Sequence, residues 1–302
     1  MVGWKMGTVG RLGLSGLAVT SGLLASAWIA SGQFIRRRRP DPPVNPMAYG
    51  LEAERVRFSS RDGVTLGGCW IPTKRRRGTV ILLSGQGGSF DSDLIHAPAL
   101  VRHGYDVLLF DFRGHGQSQG EYVSWGCYEW LDLLGALDFL EDRGIKQVGL
   151  LGFSMGAAVA IRGASQTEAV TAIISDSCYV DLVKAISGWA ATYGIGGKVI
   201  ELFAHLVLKM VNWRLGCRVE EASPIRWIGQ LSPRPILFIH GERDPFVSQD
   251  DFLALWHAAR APKERWIVPG AGHREADKLY PAAYRQHVLR FFDRYLADRY
   301  RG

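Results

Sequence analysis

Beyond residue 50 the chain alternates between short, continuous apolar runs and longer stretches in which apolar residues recur every three or four positions. The runs cover 79–83, 106–110, 148–152, 172–174, 235–240 and 265–268. Runs this short, rich in Val, Ile and Leu and without polar alternation, predict parallel strands covered on both faces. Ahead of them, Glu54–Ser59 and 64–71 flank Asp62 and Gly63, a turn pair that predicts an antiparallel hairpin. Trp130, Leu133, Leu134 and Leu137 share one face of a helix over about 125–142. Tyr284, Val288, Phe291, Phe292 and Tyr295 do the same over about 281–298. The alternation predicts an α/β fold, with a mostly parallel central sheet and helices on both faces.

One stretch departs from this rhythm. Nearly 60 residues separate the strand ending near Asp176 from the strand beginning at Pro235. They contain a long apolar helical region, 183–213, with Ile186, Trp189, Val199, Leu202, Phe203 and Leu206 among its members. That is too long for a simple crossover and predicts an inserted helical cap at about 178–232, either packed on the core or lining an apolar substrate pocket.

The amino-terminal segment has a pattern of its own. Residues 12–35 form 24 consecutive positions without a charge, ending at Arg36, Arg37, Arg38 and Arg39. About 20 helical residues span a bilayer core of roughly 30 Å. Ala25, Ser26 and Ala27 resemble a signal-peptidase site, but the arginine cluster that follows favours retention. The segment therefore predicts a single-pass transmembrane anchor over 1–39. Four arginines against Lys5 and Arg11 predict a catalytic domain on the cytoplasmic side. Proline-rich residues 40–49 read as a stiff linker, and 50–302 as the catalytic domain.

Charge narrows the partners. The net +7 comes almost entirely from six cations and no acid in residues 1–39, and 30 basic side chains nearly balance 29 acidic ones in the rest. A nucleic-acid binder concentrates its excess on a folded face, so nucleic acid is not an expected partner. Lys74, Arg75, Arg76 and Arg77 read as a solvated loop. The four cysteines, Cys69, Cys127, Cys178 and Cys217, form no C-x-x-C pair and are expected as unpaired, partly buried residues in a reducing compartment. No metal site and no cofactor are expected: the sequence has neither a metal-ligand cluster nor a phosphate-cradling glycine loop.

The chemistry gathers at three places. Gly152, Phe153, Ser154, Met155 and Gly156 match G-x-S-x-G between an apolar strand and the helical start at Ala157. A strand-to-helix turn this sharp strains the serine backbone and exposes its hydroxyl at the carboxyl edge of the sheet. A serine needs a base, and the base an orienting carboxylate. Asp244 follows the strand ending at His240, and His273 follows the strand ending at Val268, so both sit on loops at that same edge. Glu242 is a weaker candidate for the acid, and His240 is expected to order its turn. His96, His103, His205, His257 and His287 lack a partner motif and read as satisfied or exposed imidazoles.

Taken with Asp111-Phe112-Arg113-Gly114-His115-Gly116-Gln117-Ser118, which is similar to a D-x-R-G-H-G-x-S turn, the chain resembles the α/β-hydrolase superfamily over about 50–300. Within it, the branch of esterases, lipases and serine aminopeptidases is nearest. The resemblance implies a structural role for that turn and an oxyanion hole made by the backbone N–H groups of Gln86 and Met155. Ser84 stands where the family's oxyanion loop usually has histidine. The implied activity is hydrolysis of a carboxylic ester or thioester, with a small acyl-ester or lipid-like substrate, through an acyl-enzyme on Ser154. An aminopeptidase-like amide hydrolase and a non-catalytic membrane-tethered scaffold are the alternatives.

Overall fold

The computed structural model describes residues 8–260 and 262–297. A first helix, α1 (Thr8–Phe34), leads into the hairpin β1 (Glu54–Ser59) and β2 (Thr65–Ile71), then β3 (Gly78–Leu83), α2 (Ala97–Arg102), β4 (Tyr105–Phe110) and α3 (Glu129–Glu141). Next come β5 (Val148–Phe153), α4 (Met155–Ala164) and β6 (Val170–Asp176). After the insert helices α5 (Leu182–Ala191) and α6 (Lys198–Leu215) follow β7 (Ile236–Gly241), α7 (Gln249–Ala258), β8 (Lys263–Val268), α8 (Ala276–Leu279) and α9 (Pro281–Tyr295). Each apolar run predicted as a strand lies within one, save for Pro235, which directly precedes β7.

Among the described residues these strands form one eight-stranded sheet in the order β1-β2-β4-β3-β5-β6-β7-β8. β2 is antiparallel to β1 and β4, and the pairings from β4 onward are parallel. The continuous apolar runs conceal a period of two. Ile81, Leu83, Leu108 and Phe110 face the layer holding Leu133 and Leu137 of α3 and Val159 and Ile161 of α4. Val80, Leu82, Val107 and Leu109 face the layer of Val288, Phe291 and Phe292 from α9. Both faces are covered, so neither needs polar positions.

The apolar stretch 183–213 is two helices, not one. Gly194 and Gly197, at φ 74° and 86°, break it in a hairpin whose residues 192–197 are all exposed. α5 returns to the core beside the β7–α7 loop, where a Cβ on Gly188 would lie 2.5 Å from the Phe246 carbonyl oxygen.

The amino-terminal expectation is corrected. Among the described residues no helix is long and apolar enough to cross a membrane. That overturns the single-pass anchor, the membrane location and the cytoplasmic sidedness drawn from it. At 27 residues α1 has the length, but Gly13, Gly16, Gly22, Ser15, Thr20, Ser21 and Ser26 dilute its apolar character. Its last turns also pack on protein: Ala27, Ser31 and Ile35 are buried. The Arg214 guanidinium lies 3.5 Å from the centre of the Trp28 ring, and its Nε donates to Ser31 Oγ at 3.0 Å. Phe34 stacks on Trp125 at 4.2 Å. Lys5 and the side chain of Arg11, the other half of the charge comparison, lie outside the described residues.

Two smaller expectations also change. Cys127 and Cys217, separated by 90 positions, form a disulfide with their Cα atoms 6.7 Å apart, and Cys69 and Cys178 stay free and buried. The bond joins the end of α6 to the loop before α3, a proximity that sequence spacing does not reveal. The 74–77 loop is anchored as well as solvated, with Arg76 paired to Asp106 at 2.6 Å and Arg77 to Asp293 at 3.0 Å.

Candidate active site

β5 ends at Phe153 and α4 begins at Met155, which leaves Ser154 alone to make the turn at φ 51° and ψ −111°. A non-glycine residue rarely adopts positive φ, and it does so where surroundings over-determine it. Here the Ser154 N–H donates to the Asp176 carbonyl oxygen at 2.8 Å. The flanking glycines permit the close approach. A Cβ on Gly152 would stand 2.6 Å from the Gly156 carbonyl oxygen, and one on Gly156 would collide with the carbonyl oxygens of Leu83 and Ser84.

The other two candidates arrive on neighbouring loops. Asp244 lies three residues past β7, where its Oδ1 accepts from the N–H groups of Phe246 at 2.9 Å and Val247 at 3.1 Å. That leaves Oδ2 facing His273 Nδ1 at 2.7 Å, and His273 Nε2 lies 3.0 Å from Ser154 Oγ. The Asp244 side chain is fully buried and that of His273 is 17% exposed. An imidazole so placed is fixed in direction by a desolvated carboxylate while its other nitrogen meets the hydroxyl. The ring of Phe246 closes over His273 edge to face at 4.9 Å. Thus Ser154, chosen from G-x-S-x-G, and Asp244 and His273, chosen from their order and their places after strands, come together.

The weaker candidates part from them. Glu242 accepts from the Gly270 N–H at 2.8 Å and makes no contact with His273. His240 does not order its turn through hydrogen bonds. It is buried with neither ring nitrogen partnered, and it stacks flat on Phe252 at 4.5 Å. Burial pushes its pKa down to about 4, so it is a neutral core imidazole. His96 is likewise a core residue, packed between Phe153 and Tyr284, and His103 bonds Asp293 at 2.8 Å.

Gln86 lies on the loop after β3, and Met155 opens α4 next to Ser154. The Met155 N–H therefore has no intrahelical acceptor and points where the helix dipole is positive. Ser84 lends its loop no hydrogen bond, because its Oγ is buried without a partner. Other groups hold Gln86: its carbonyl oxygen lies 3.0 Å from His115 Nε2, and its side-chain oxygen, in the amide orientation that satisfies both partners, accepts from Arg38. The D-x-R-G-H-G-x-S turn is held by its own polar side chains. Asp111 accepts from the N–H groups of Phe90 at 2.7 Å and Gln117 at 2.8 Å, while Arg113 bridges Asp62 and Asp132.

Sequence reasoning missed Arg274. At φ 55°, it donates its backbone N–H to Ser177 Oγ at 3.0 Å, pairs with Asp93 and lies 4.6 Å from the centre of the Phe153 ring. It therefore ties the His273 loop to the segment after the loop that carries Gln86. Its place next to His273 was the one available signal.

A parallel sheet with an antiparallel start, a serine at the strand-to-helix elbow, and an acid and a histidine on later loops of the same edge define the α/β-hydrolase class. The profile of the alpha/beta hydrolase family matches residues 80–284, and the chain belongs to that family. Protein YqkD of Bacillus subtilis (strain 168) is 27% identical over 257 residues, spanning 83% of this chain and 78% of its own. Protein Rv2307c of Mycobacterium tuberculosis is 26% identical over 278 residues, spanning 90% and 91%. Among solved structures, the Pyrococcus furiosus esterase Pf2001 aligns with a TM-score of 0.72 at 27% identity, over 86% of this chain and 100% of that one. The hydrolase GrgF from Penicillium sp. sh18, at 22% identity and TM-score 0.66, shares the fold.

Proposed function

We propose that the chain is a serine hydrolase that cleaves a carboxylic ester or thioester of a small acyl substrate through an acyl-enzyme on Ser154. The observation that carries this reading is the hydrogen-bond line from Asp244 through His273 to Ser154, at 2.7 and 3.0 Å. Ser154 Oγ attacks the carbonyl carbon while His273 Nε2 takes its proton, and Asp244 holds Nδ1–H and stabilises the imidazolium. The oxygen gains a full negative charge, which the N–H groups of Met155 and Gln86 receive. Collapse of the tetrahedral adduct expels the alcohol or thiol, protonated by His273. Water then attacks the acyl-enzyme with His273 as base, and the carboxylic acid leaves.

The esterase Pf2001 supports the ester over the amide as substrate. The insert over about 178–232 acts as a cap, since α5 lies against Phe246, whose ring covers His273. The cleft of about 370 Å³ within the insert, edged by Leu182, Val183, Leu208 and Ile225, includes none of Ser154, Asp244 or His273, so it is not the acyl pocket of this reading.

The test is turnover of p-nitrophenyl esters of graded chain length, with labelling by a fluorophosphonate. Wild-type protein should hydrolyse the esters and take one label at Ser154, and Ser154→Ala should lose at least about 10⁴-fold in kcat while remaining folded. Undiminished turnover in Ser154→Ala, or folded wild-type protein that takes no label, would sink the assignment. Turnover of aminoacyl amides alone would replace the ester by an amide.

A further inference from the structure

The arginines after α1 do not follow a membrane span, and the structure gives them other work. The chain from Phe34 to Val44 runs as a strap over the loops beside Ser154. Arg37 donates to three carbonyl oxygens of the D-x-R-G-H-G-x-S turn and the residues just after it: Gly120 at 2.6 Å, and Gly116 and Ser118 at 2.8 Å each. The Arg38 N–H donates to the Gly114 carbonyl oxygen at 2.8 Å. Further on, Asp41 and Ser89 bond reciprocally, Ser89 N–H to Asp41 Oδ2 at 2.9 Å and Asp41 N–H to Ser89 Oγ at 3.1 Å. The Val44 N–H then reaches Asp91 Oδ1 at 2.9 Å. The fit at Gly88 is close enough that a Cβ there would collide with the Asp41 carboxylate.

Of these, the Asp41 contacts fall on the short segment 84–89, which carries Gln86, and those of Arg37 and the Arg38 N–H fall on and just after the turn that carries His115. The usual histidine of segment 84–89 is replaced by Ser84, whose hydroxyl is unpartnered. The side chain of Gln86 meets the Arg38 guanidinium, and its carbonyl oxygen meets His115, which sits in the turn that Arg37 grips. The guanidinium of Arg38 is half-buried, and it meets the Phe34 carbonyl oxygen and the Gln86 side-chain amide oxygen, neither of them a carboxylate. Its charge is therefore available to the oxyanion loop instead of being neutralised locally.

We infer that Arg38 is a positioning residue for the reaction proposed above, holding Gln86 so that its backbone N–H points at the forming oxyanion. The inference rests on the serine-hydrolase reading, and its test separates the two.

In the full-length chain, Arg38→Ala should lower kcat for p-nitrophenyl acetate by about 10- to 100-fold and leave KM within about twofold, because a displaced oxyanion donor acts in the transition state and not on bound ester. Gln86→Ala, which keeps the backbone N–H, should lose a similar factor, and the double variant should lose no more than either single one. Arg39→Ala removes the same charge from an exposed neighbour that touches neither loop, and should turn over at the wild-type rate. Amide hydrogen exchange over 84–89 should accelerate in Arg38→Ala. Should that variant fail to fold, Arg38→Lys, which keeps the charge and loses the fork, takes its place with the same readouts. Wild-type kcat together with wild-type exchange over 84–89 would overturn the inference, as would an equal loss in Arg39→Ala. If the wild-type chain itself shows no Ser154-dependent turnover, the hydrolase reading falls, and the exchange data alone decide whether Arg38 holds the loop.

Discussion

Two buried titratable side chains near the site, Asp176 and His240, oppose each other. Asp176 lies under Ser154, accepts from Tyr284 Oη and Ser177 Oγ at 2.8 Å each, and is pushed up by burial to about 6. Between about pH 4 and 6 the folded state keeps that proton while the unfolded chain has lost it, so stability falls as pH rises. His240, held down near 4, works the other way: the unfolded chain gains a proton below about 6.5 that the folded state refuses, so stability falls as pH drops. The contributions of these two groups should largely offset each other across this window. Relative to wild type, Asp176→Asn should gain stability from pH 4 to 6.5 by on the order of 3 kcal/mol, and His240→Phe should change with the opposite sign. Urea unfolding at a series of pH values checks this, and parallel profiles for all three proteins would contradict it. At this scale Ser154 was legible from G-x-S-x-G after an apolar strand, and Asp244 and His273 from loops a few residues past later strands. The surroundings of His240 were not legible, because its partner Phe252 comes from α7, for which the apolar pattern gave no clear signal.

The elements themselves were well marked where burial was two-sided, as in β3, β4 and β5. They were poorly marked where a helix meets several environments. α1 reads as a membrane helix from uncharged length alone, but Ser31 and Gly32 in its last turns meet Arg214 of α6. The break between α5 and α6 is a matter of glycine spacing, masked by the apolar residues on either side. The junction of β5 with α4 is the least tolerant of these elements. Gly156→Ala would drive a methyl group into the carbonyl oxygens of Leu83 and Ser84, which are backbone and cannot rotate aside. Overpacking of this kind costs about 1–3 kcal/mol or more, and the displaced strand carries the oxyanion loop with it. We expect Gly156→Ala to be destabilised in urea by at least that amount and to lose ester turnover out of proportion. A variant with wild-type stability and rate would show that the elbow is looser than described.

For the whole molecule, the α/β order of elements was readable from periodicity. The links that close it were not: the strap to the 84–89 loop, α1 to α6, and Cys127 to Cys217 join residues whose nearness exists only after folding. The last of these has a practical result. The exposed hairpin at 192–197 is a natural place for a protease to cut, and it lies inside the covalent ring that the two cysteines close. A single cut there would sever the polypeptide yet leave one particle, with Ser154 on one piece and Asp244 and His273 on the other. On a gel run without thiol such a clipped protein should migrate as one band, and with thiol as two. Two bands under both conditions would mean that the ring is open. Intactness of the chain and integrity of the enzyme are thus separate properties here, and ester turnover should outlast the first cut.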